Sequence, residues 1–284
     1  MFERIKKAVK SWMQRTGADT GMAKEFKDIF EVGGVPAFNQ FYYFGIFVWK
    51  WLYKGYYKAW HRIAAPTIAD PNGVRDMERM DVAKALCAEM AGLVWSEQCE
   101  VHVSQGDGEK QPLDDFVHDV LAKNNFWCKM QENIEQAMAL GGAAIKVWYE
   151  DKHDSQGNVV PGSGHISIGF CMADQFVPTA WDNAKVTDGV FISRQAKDGY
   201  YYTRLEWHKW DGLTYWVINE LYRAEQDKRQ NTSEPQDILG FRYPLESIYP
   251  YLNESTPMQG LQQSLFAYYR PAQANNIDDN SPLG

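Results

Sequence analysis

The chain has 284 residues, 45% of them apolar, and a net charge of −8. That apolar share builds a sizeable core and excludes a disordered chain. The acidic balance excludes phosphate-backbone binding as the main activity, because such binding needs a surplus of Lys and Arg.

Residues Phe2 to Met13 fit a short basic amphipathic helix, with Ile5, Ala8, Val9, Trp12 and Met13 on one face. Basic residues are scattered among its apolar positions, unlike the uninterrupted apolar block of a secretory signal. After a break at Gly33, Gly34 and Pro36 comes FYYFGIFVWKWLYKGYYKAW, Phe41 to Trp60, in which eleven of twenty residues are aromatic. A membrane span needs about 20 predominantly apolar residues. Lys50, Lys54 and Lys58 fall inside this window, four apart, and so form one stripe of a helix. An interface or core helix is expected, not a span. Tyr and Trp supply large contact area with one polar tip.

Pro66, Pro71, Asn72 and Gly73 make a second break, which suggests a helical arm over 1–70 and a second domain over 74–284. Met80 to Val94 is a helix in which Val82, Leu86, Met90 and Leu93 recur at helical spacing. Cys99 to Ser104 alternates like a short strand. Asp114 to Leu121 and Phe126 to Leu140 are two more helices, the second ended by Gly141 and Gly142. Ala144 to Tyr149 is a strand. From His165 onward five strand-like runs follow (HISIGFC, QFVPTAW, GVFISRQ, YYYTRLEWHKW and LTYWVINELYRAE) with Asp–Asn and Asp–Gly breaks between the later ones. Asp211–Gly212 is expected to form a type I′ hairpin turn. Helices followed by antiparallel strands give an α+β fold with a β-meander.

Signatures of chemistry are sparse. The chain has no G-x-x-x-x-G-K-[ST], H-E-x-x-H or G-x-S-x-G motif. Gly141–Gly142 lies between helix and strand, the reverse of the order a phosphate cradle needs. Glu150, Asp151, His153 and Asp154 cluster in a polar loop and read as a solvated turn. His102 and His118 flank Gly106–Asp107–Gly108 without a Cys or Asp at ligand spacing, and read as surface histidines. Glu206 and His208 share one strand face, which a Trp-rich hairpin explains without catalysis. Cys87, Cys99, Cys128 and Cys171 lack C-x-x-C spacing and are expected as free thiols in a reducing compartment. No catalytic, cofactor or metal residue is assigned.

An ordered series of segments is more telling. The aromatic helix carrying Trp51, Tyr53, Gly55, Tyr57 and Trp60 precedes MDVAKALCAEMAGLVWSE and CEVHVS. LAKNNFWCKMQENIEQAMALGGAAIKVWYED, HISIGFCMADQFVPTAWD, GVFISR and the aromatic hairpin follow, with LFAYYRPAQANNIDDNSPLG last. From about Phe41 to Gly284 the series resembles the N-terminal half of tailed-bacteriophage portal proteins, in the branch common among phages of Gram-positive hosts. The resemblance implies a structural protein of the virion, present in the host cytoplasm during assembly, and not an enzyme. Portal proteins form a ring, usually dodecameric, at one capsid vertex. A terminase pumps double-stranded DNA through the channel, the DNA leaves by the same route, and the portal meets scaffold, capsid and head–tail connector proteins. This chain corresponds to the wing, ending before the expected stem and clip, so little direct DNA contact is expected of it.

A ring subunit buries two different faces against its neighbours. Eleven Trp and sixteen Tyr exceed what one modest core requires. The candidate interface residues are Phe47, Trp49, Trp51, Tyr53, Tyr57 and Trp60 on the aromatic helix, and Trp207, Trp210 and Trp216 on the hairpin. Two alternatives stand beside this. One is another phage virion protein, a minor capsid protein or head–tail adaptor without a channel. The other is a hydrolase using the carboxylates of Glu150 to Asp154.

Overall fold

The computed structural model describes residues 40–55, 61–96, 98–103, 112–154, 156–183, 185–225 and 239–270. The expected helix over Phe2 to Met13, the stretch from Tyr56 to Trp60 and the last loop, Asn275 to Gly284, lie outside them. The chain adopts the expected α+β architecture, arranged as two compact units. One unit holds Gly45–Ala173 and the segment that starts at Leu265; the other holds Asp174–Ser264.

α1 (Gln40–Tyr53) enters the first unit at Gly45. The expected twenty-residue aromatic helix is therefore cut short. Gly55 takes a φ of +65°, and a Cβ there would lie 2.3 Å from the Asp81 carboxylate, so the helix ends where a left-handed glycine is required. A small ribbon follows, β1 (Arg62–Ala64) against β2 (Val74–Asp76). The Pro- and Gly-rich break at 66–73 is the loop of this ribbon, tied by Ala65 N–H to Gly73 O at 2.8 Å.

Next come α2 (Val82–Val94), α3 (Pro112–Lys123) and α4 (Phe126–Leu140). The segment from Cys99 to Val103 keeps the alternating exposure of a strand but pairs with none. The amide of Val103 instead donates to Asp114 Oδ1 at 2.8 Å, so a side chain takes the place of a sheet partner. α4 ends at Gly141, φ +81°, as expected of the double glycine.

β3 (Ala143–Glu150) then pairs with β4 (His165–Met172), and β11 (Phe266–Tyr269) returns to cover the other edge of β3. The side-chain amide of Asn124 closes the free edge of β4. Its Nδ2 donates to Val120 O and Ile166 O, both at 2.8 Å, and its Oδ1 accepts from Ile168 N–H at 2.9 Å. Ile134, Ala137 and Leu140 of α4 and Ala143 and Ala144 of β3 are fully buried, forming the core of this unit.

The second unit is a meander. β5 (Phe176–Asp182), β6 (Lys185–Lys197), β7 (Tyr200–Asp211) and β8 (Thr214–Glu225) pair in sequence order, all antiparallel. β9 (Phe241–Tyr243) and β10 (Ser255–Met258) share the far edge of β8. Pro178 and Pro257 both sit on edge strands, where a missing donor breaks no interior ladder.

The type I′ pair is Asp198–Gly199, with φ of +53° and +80°, not Asp211–Gly212. Asp211 is the last paired residue of β7, opposite Thr214, and the loop is Gly212–Leu213 with only the glycine at positive φ (+59°). That register sets Tyr215 opposite Trp210, ring centroids 4.9 Å apart, with Tyr215 fully buried. It leaves Leu213 at the exposed tip.

Candidate subunit interface

α2 carries two apolar faces with different fates. Val82 and Ala91 are nine residues apart, two and a half turns, and so point in opposite directions. Ala91 is 1% exposed, on the side where α2 packs against α4. Trp95, just past the helix, stacks on Trp127 at 5.5 Å and donates its indole N–H to Trp127 O at 3.1 Å. On the other side Val82, Leu86, Met90 and Leu93 are exposed, Leu86 by 60% and Leu93 by 85%. Met77 and Met80 extend the exposed apolar surface ahead of the helix. Four large aliphatic side chains in one stripe, left in water, form the kind of continuous patch that marks an association surface.

The aromatic candidates on α1 divide similarly. Ile46 is fully buried, whereas Trp49 and Leu52, three apart, are exposed. Trp51 is half-buried, with Lys54 Nζ 5.9 Å from its ring centroid. It lines a shallow groove with Tyr53, Lys54, Arg79, Asp81 and Lys84. Tyr53 faces inward and its hydroxyl donates to Glu135 Oε1 on α4 at 2.5 Å. Burial, then that carboxylate, hold the hydroxyl above the ordinary tyrosine range, so it stays protonated at any physiological pH. Burial and Glu135 likewise push up the Cys87 thiol. Phe47, Tyr57 and Trp60 lie outside the described side chains.

The hairpin tryptophans hold different positions. Trp207 is 3% exposed and donates to Glu220 Oε2 at 3.0 Å, with Lys209 Nζ 4.4 Å from its ring centroid. Trp210 and Trp216 are half-buried; Trp210 donates to Ser264 Oγ at 3.0 Å, and Trp216 pairs with Pro257 of β10. The three tryptophans do not form one patch, because Trp207 and Trp210 point to opposite faces of β7.

Among the described residues of the meander, the polar groups of β7 are bonded to one another. Along one face of β7, Arg204 Nη2 meets Glu206 Oε2 at 2.9 Å, Glu206 Oε1 meets His208 Nε2 at 3.0 Å, and His208 Nδ1 meets the Tyr215 hydroxyl at 2.7 Å. His208 is 2% exposed and Glu206 8%, so these groups mainly pair buried polar atoms with one another. In the loop after β3, Asp154 accepts the amides of Asn158 and Gln156, and these bonds hold its carboxyl below the ordinary range. Glu150 accepts from Ser167 Oγ at 3.1 Å. Asp154 thus caps a turn and Glu150 serves a strand pair. None of the four cysteines is in a disulfide. Among the described residues no helix is long and apolar enough to cross a membrane.

Residues 49–276 match the family model described as phage portal protein, SPP1 Gp6-like. No curated protein matches the chain.

Proposed function

The chain belongs to the SPP1 Gp6-like phage portal protein family, and from that membership we propose how it builds its ring. As a member it is a structural, non-catalytic portal subunit of the capsid vertex, and it works as part of an oligomeric ring. In our proposal the apolar stripe of α2, Val82, Leu86, Met90 and Leu93, is one lateral face of the subunit. Trp49, Leu52 and Trp51 of α1, with Trp210 and Trp216 of the hairpin, belong to the surfaces that receive a neighbour, together with Phe47, Tyr57 and Trp60. Trp207 contributes by holding β7 rigid. Residues 1–70 act as an arm whose aromatic helix is anchored on the wing, 74–284, by the Tyr53–Glu135 hydrogen bond.

The single observation that carries this is the α2 stripe. It has the periodicity of a packed helix face and is left exposed by the described residues, which suits a closed ring of identical subunits. Dodecameric closure and docking of terminase, scaffold and connector are the finer parts of the proposal. The net charge of −8 suits a body beside moving DNA, since like charge limits adhesion. Negative-stain imaging of the full-length subunit tests it. Rings with a central channel are expected; a strictly monomeric species at micromolar concentration overturns it.

A further inference from the structure

We propose that His102, Asp114 and His118 form a three-ligand site for a zinc-class divalent cation, with Glu100 positioning one of the ligands. This is independent of the portal reading and rests on a juxtaposition the fold creates. Asp114 stands in the first turn of α3 and is 7% exposed. Its Oδ1 accepts the Val103 amide at 2.8 Å, which fixes the carboxylate against the incoming segment. His118 is one turn further along the same helix, its Nε2 3.7 Å from Asp114 Oδ1. His102 arrives from the extended segment, its Nδ1 3.4 Å from Asp114 Oδ2. The two imidazoles face each other with centroids 5.4 Å apart. One ligand atom from each residue lies within 4.8 Å of the other two.

Those separations fit a tetrahedral ion. With metal–ligand bonds of about 2.0–2.1 Å, ligand atoms stand about 3.3 Å apart. His102 Nδ1 stands 3.4 Å from Asp114 Oδ2 and His118 Nε2 3.7 Å from Oδ1, so each histidine approaches its own oxygen. With one oxygen as the ligand the three atoms lie within 4.8 Å of one another. Both histidines are partly exposed, so small rotations close the difference and solvent gives the ion an entry path.

The second imidazole nitrogen decides the chemistry. Glu100 Oε2 lies 2.9 Å from His102 Nε2. It accepts that N–H and so leaves the Nδ1 lone pair directed at Asp114 and His118. A carboxylate on the far nitrogen is how metal-binding histidines are usually oriented and made more basic. Two imidazoles and a carboxylate select zinc, cobalt, nickel or copper over magnesium or calcium, which prefer all-oxygen shells. Asp114 and Glu100 together offset the ion's charge. Three protein ligands leave one tetrahedral position for water or for a donor from another chain. A bound ion clamps the extended 98–103 segment to α3, adding to the Val103–Asp114 hydrogen bond and the His102 contacts.

The test is calorimetric titration of Zn²⁺ into the chelator-treated full chain, with Mg²⁺ and Ca²⁺ as comparisons. One Zn²⁺ per subunit at micromolar affinity or tighter is expected, and no heat from the other two. His102→Ala and His118→Gln should each weaken Zn²⁺ by at least tenfold, and Glu100→Gln by about tenfold. Circular dichroism confirms that each variant is folded. Because the four thiols are alternative zinc ligands, Co²⁺ spectra supply the second readout. Visible d–d bands without near-ultraviolet thiolate charge transfer are expected. Absence of Zn²⁺ binding, binding indifferent to both histidine variants, or a thiolate charge-transfer band overturns the site.

Discussion

Replacing Leu86 and Leu93 together by glutamate tests the lateral face of the subunit. Both side chains lie mostly in solvent, 60% and 85% exposed, so the isolated subunit loses little packing when they change. Glutamate is also a good helix former, so α2 itself is preserved. Fully burying a leucine stabilises by about 1.5–3 kcal/mol, and scaling by the exposed fractions gives about 3 kcal/mol for the pair at each subunit contact. That equals about a 100-fold weaker contact, before the added cost of desolvating two carboxylates. Light scattering coupled to size exclusion should show the double variant as monomer at concentrations where the wild type is a ring. At concentrations low enough that the wild type is also dissociated, its melting temperature should stay within about 2 °C of the wild type's, as for ordinary surface changes. Ala91→Glu on the opposite face is the contrast: it forces a charge into the α2–α4 contact and should unfold the unit outright. Rings of undiminished stability from the double variant would refute the assignment. So would a melting temperature that falls as far as that of Ala91→Glu, since the stripe would then belong to the subunit's own core.

Gly189→Ala should lower stability by about 1–3 kcal/mol, read as a shifted urea midpoint, because a Cβ there would sit 2.4 Å from the buried Phe176 ring; an unchanged midpoint contradicts that packing. Asn124→Ala removes the three hydrogen bonds along the edge of β4 and should cost about 1–3 kcal/mol, with faster amide exchange at Ile168 as the local sign. Burial raises the Asp188 carboxyl above its ordinary value, against hydrogen bonds from Trp210 and Thr187 and the Lys209 charge. The folded state thus binds this proton more tightly than the unfolded one. Its stabilising contribution is whole below the ordinary carboxylate pKa and lost as pH rises through the raised value. Asp188→Asn should therefore raise the melting temperature at pH 7 by about 1–2 °C, the site being half-exposed. The gain should shrink towards pH 4, and a fall at pH 7 would contradict the assignment.

Much of this fold is written in local patterns. The meander strands alternate, and glycines mark two of their turns, so their existence and order are legible without coordinates. α4 is legible to the residue because Gly141 supplies the left-handed cap. The misses have specific causes. Gly55 lies inside an aromatic run expected to continue as helix, yet its positive φ ends α1. Cys99 to Val103 has the pattern of a strand but finds a carboxylate instead of a neighbour, which no period can reveal. Asp211–Gly212 suits a type I′ turn, but pairing of Tyr215 with Trp210 moves the loop one residue on. In α2 the spacing of Val82, Leu86, Met90 and Leu93 specifies a helix and a face. It does not specify whether that face meets its own chain or another copy. In the His102, Asp114 and His118 cluster the acid and His118 stand one turn apart on a helix that is legible, but His102 lies twelve residues before the acid and nothing in the sequence ties it to them. Only the start of α3 brings them together.

The strand partners of β3 come from distant parts of the chain: β4 follows directly, but β11 arrives only after the whole meander has been made. On the ribosome, β3 therefore waits with one unpaired edge while about ninety residues are added. A nascent chain released before Phe266 carries that edge into solvent as a template for foreign strands, so premature termination anywhere in the meander yields a sticky product and not a smaller soluble one.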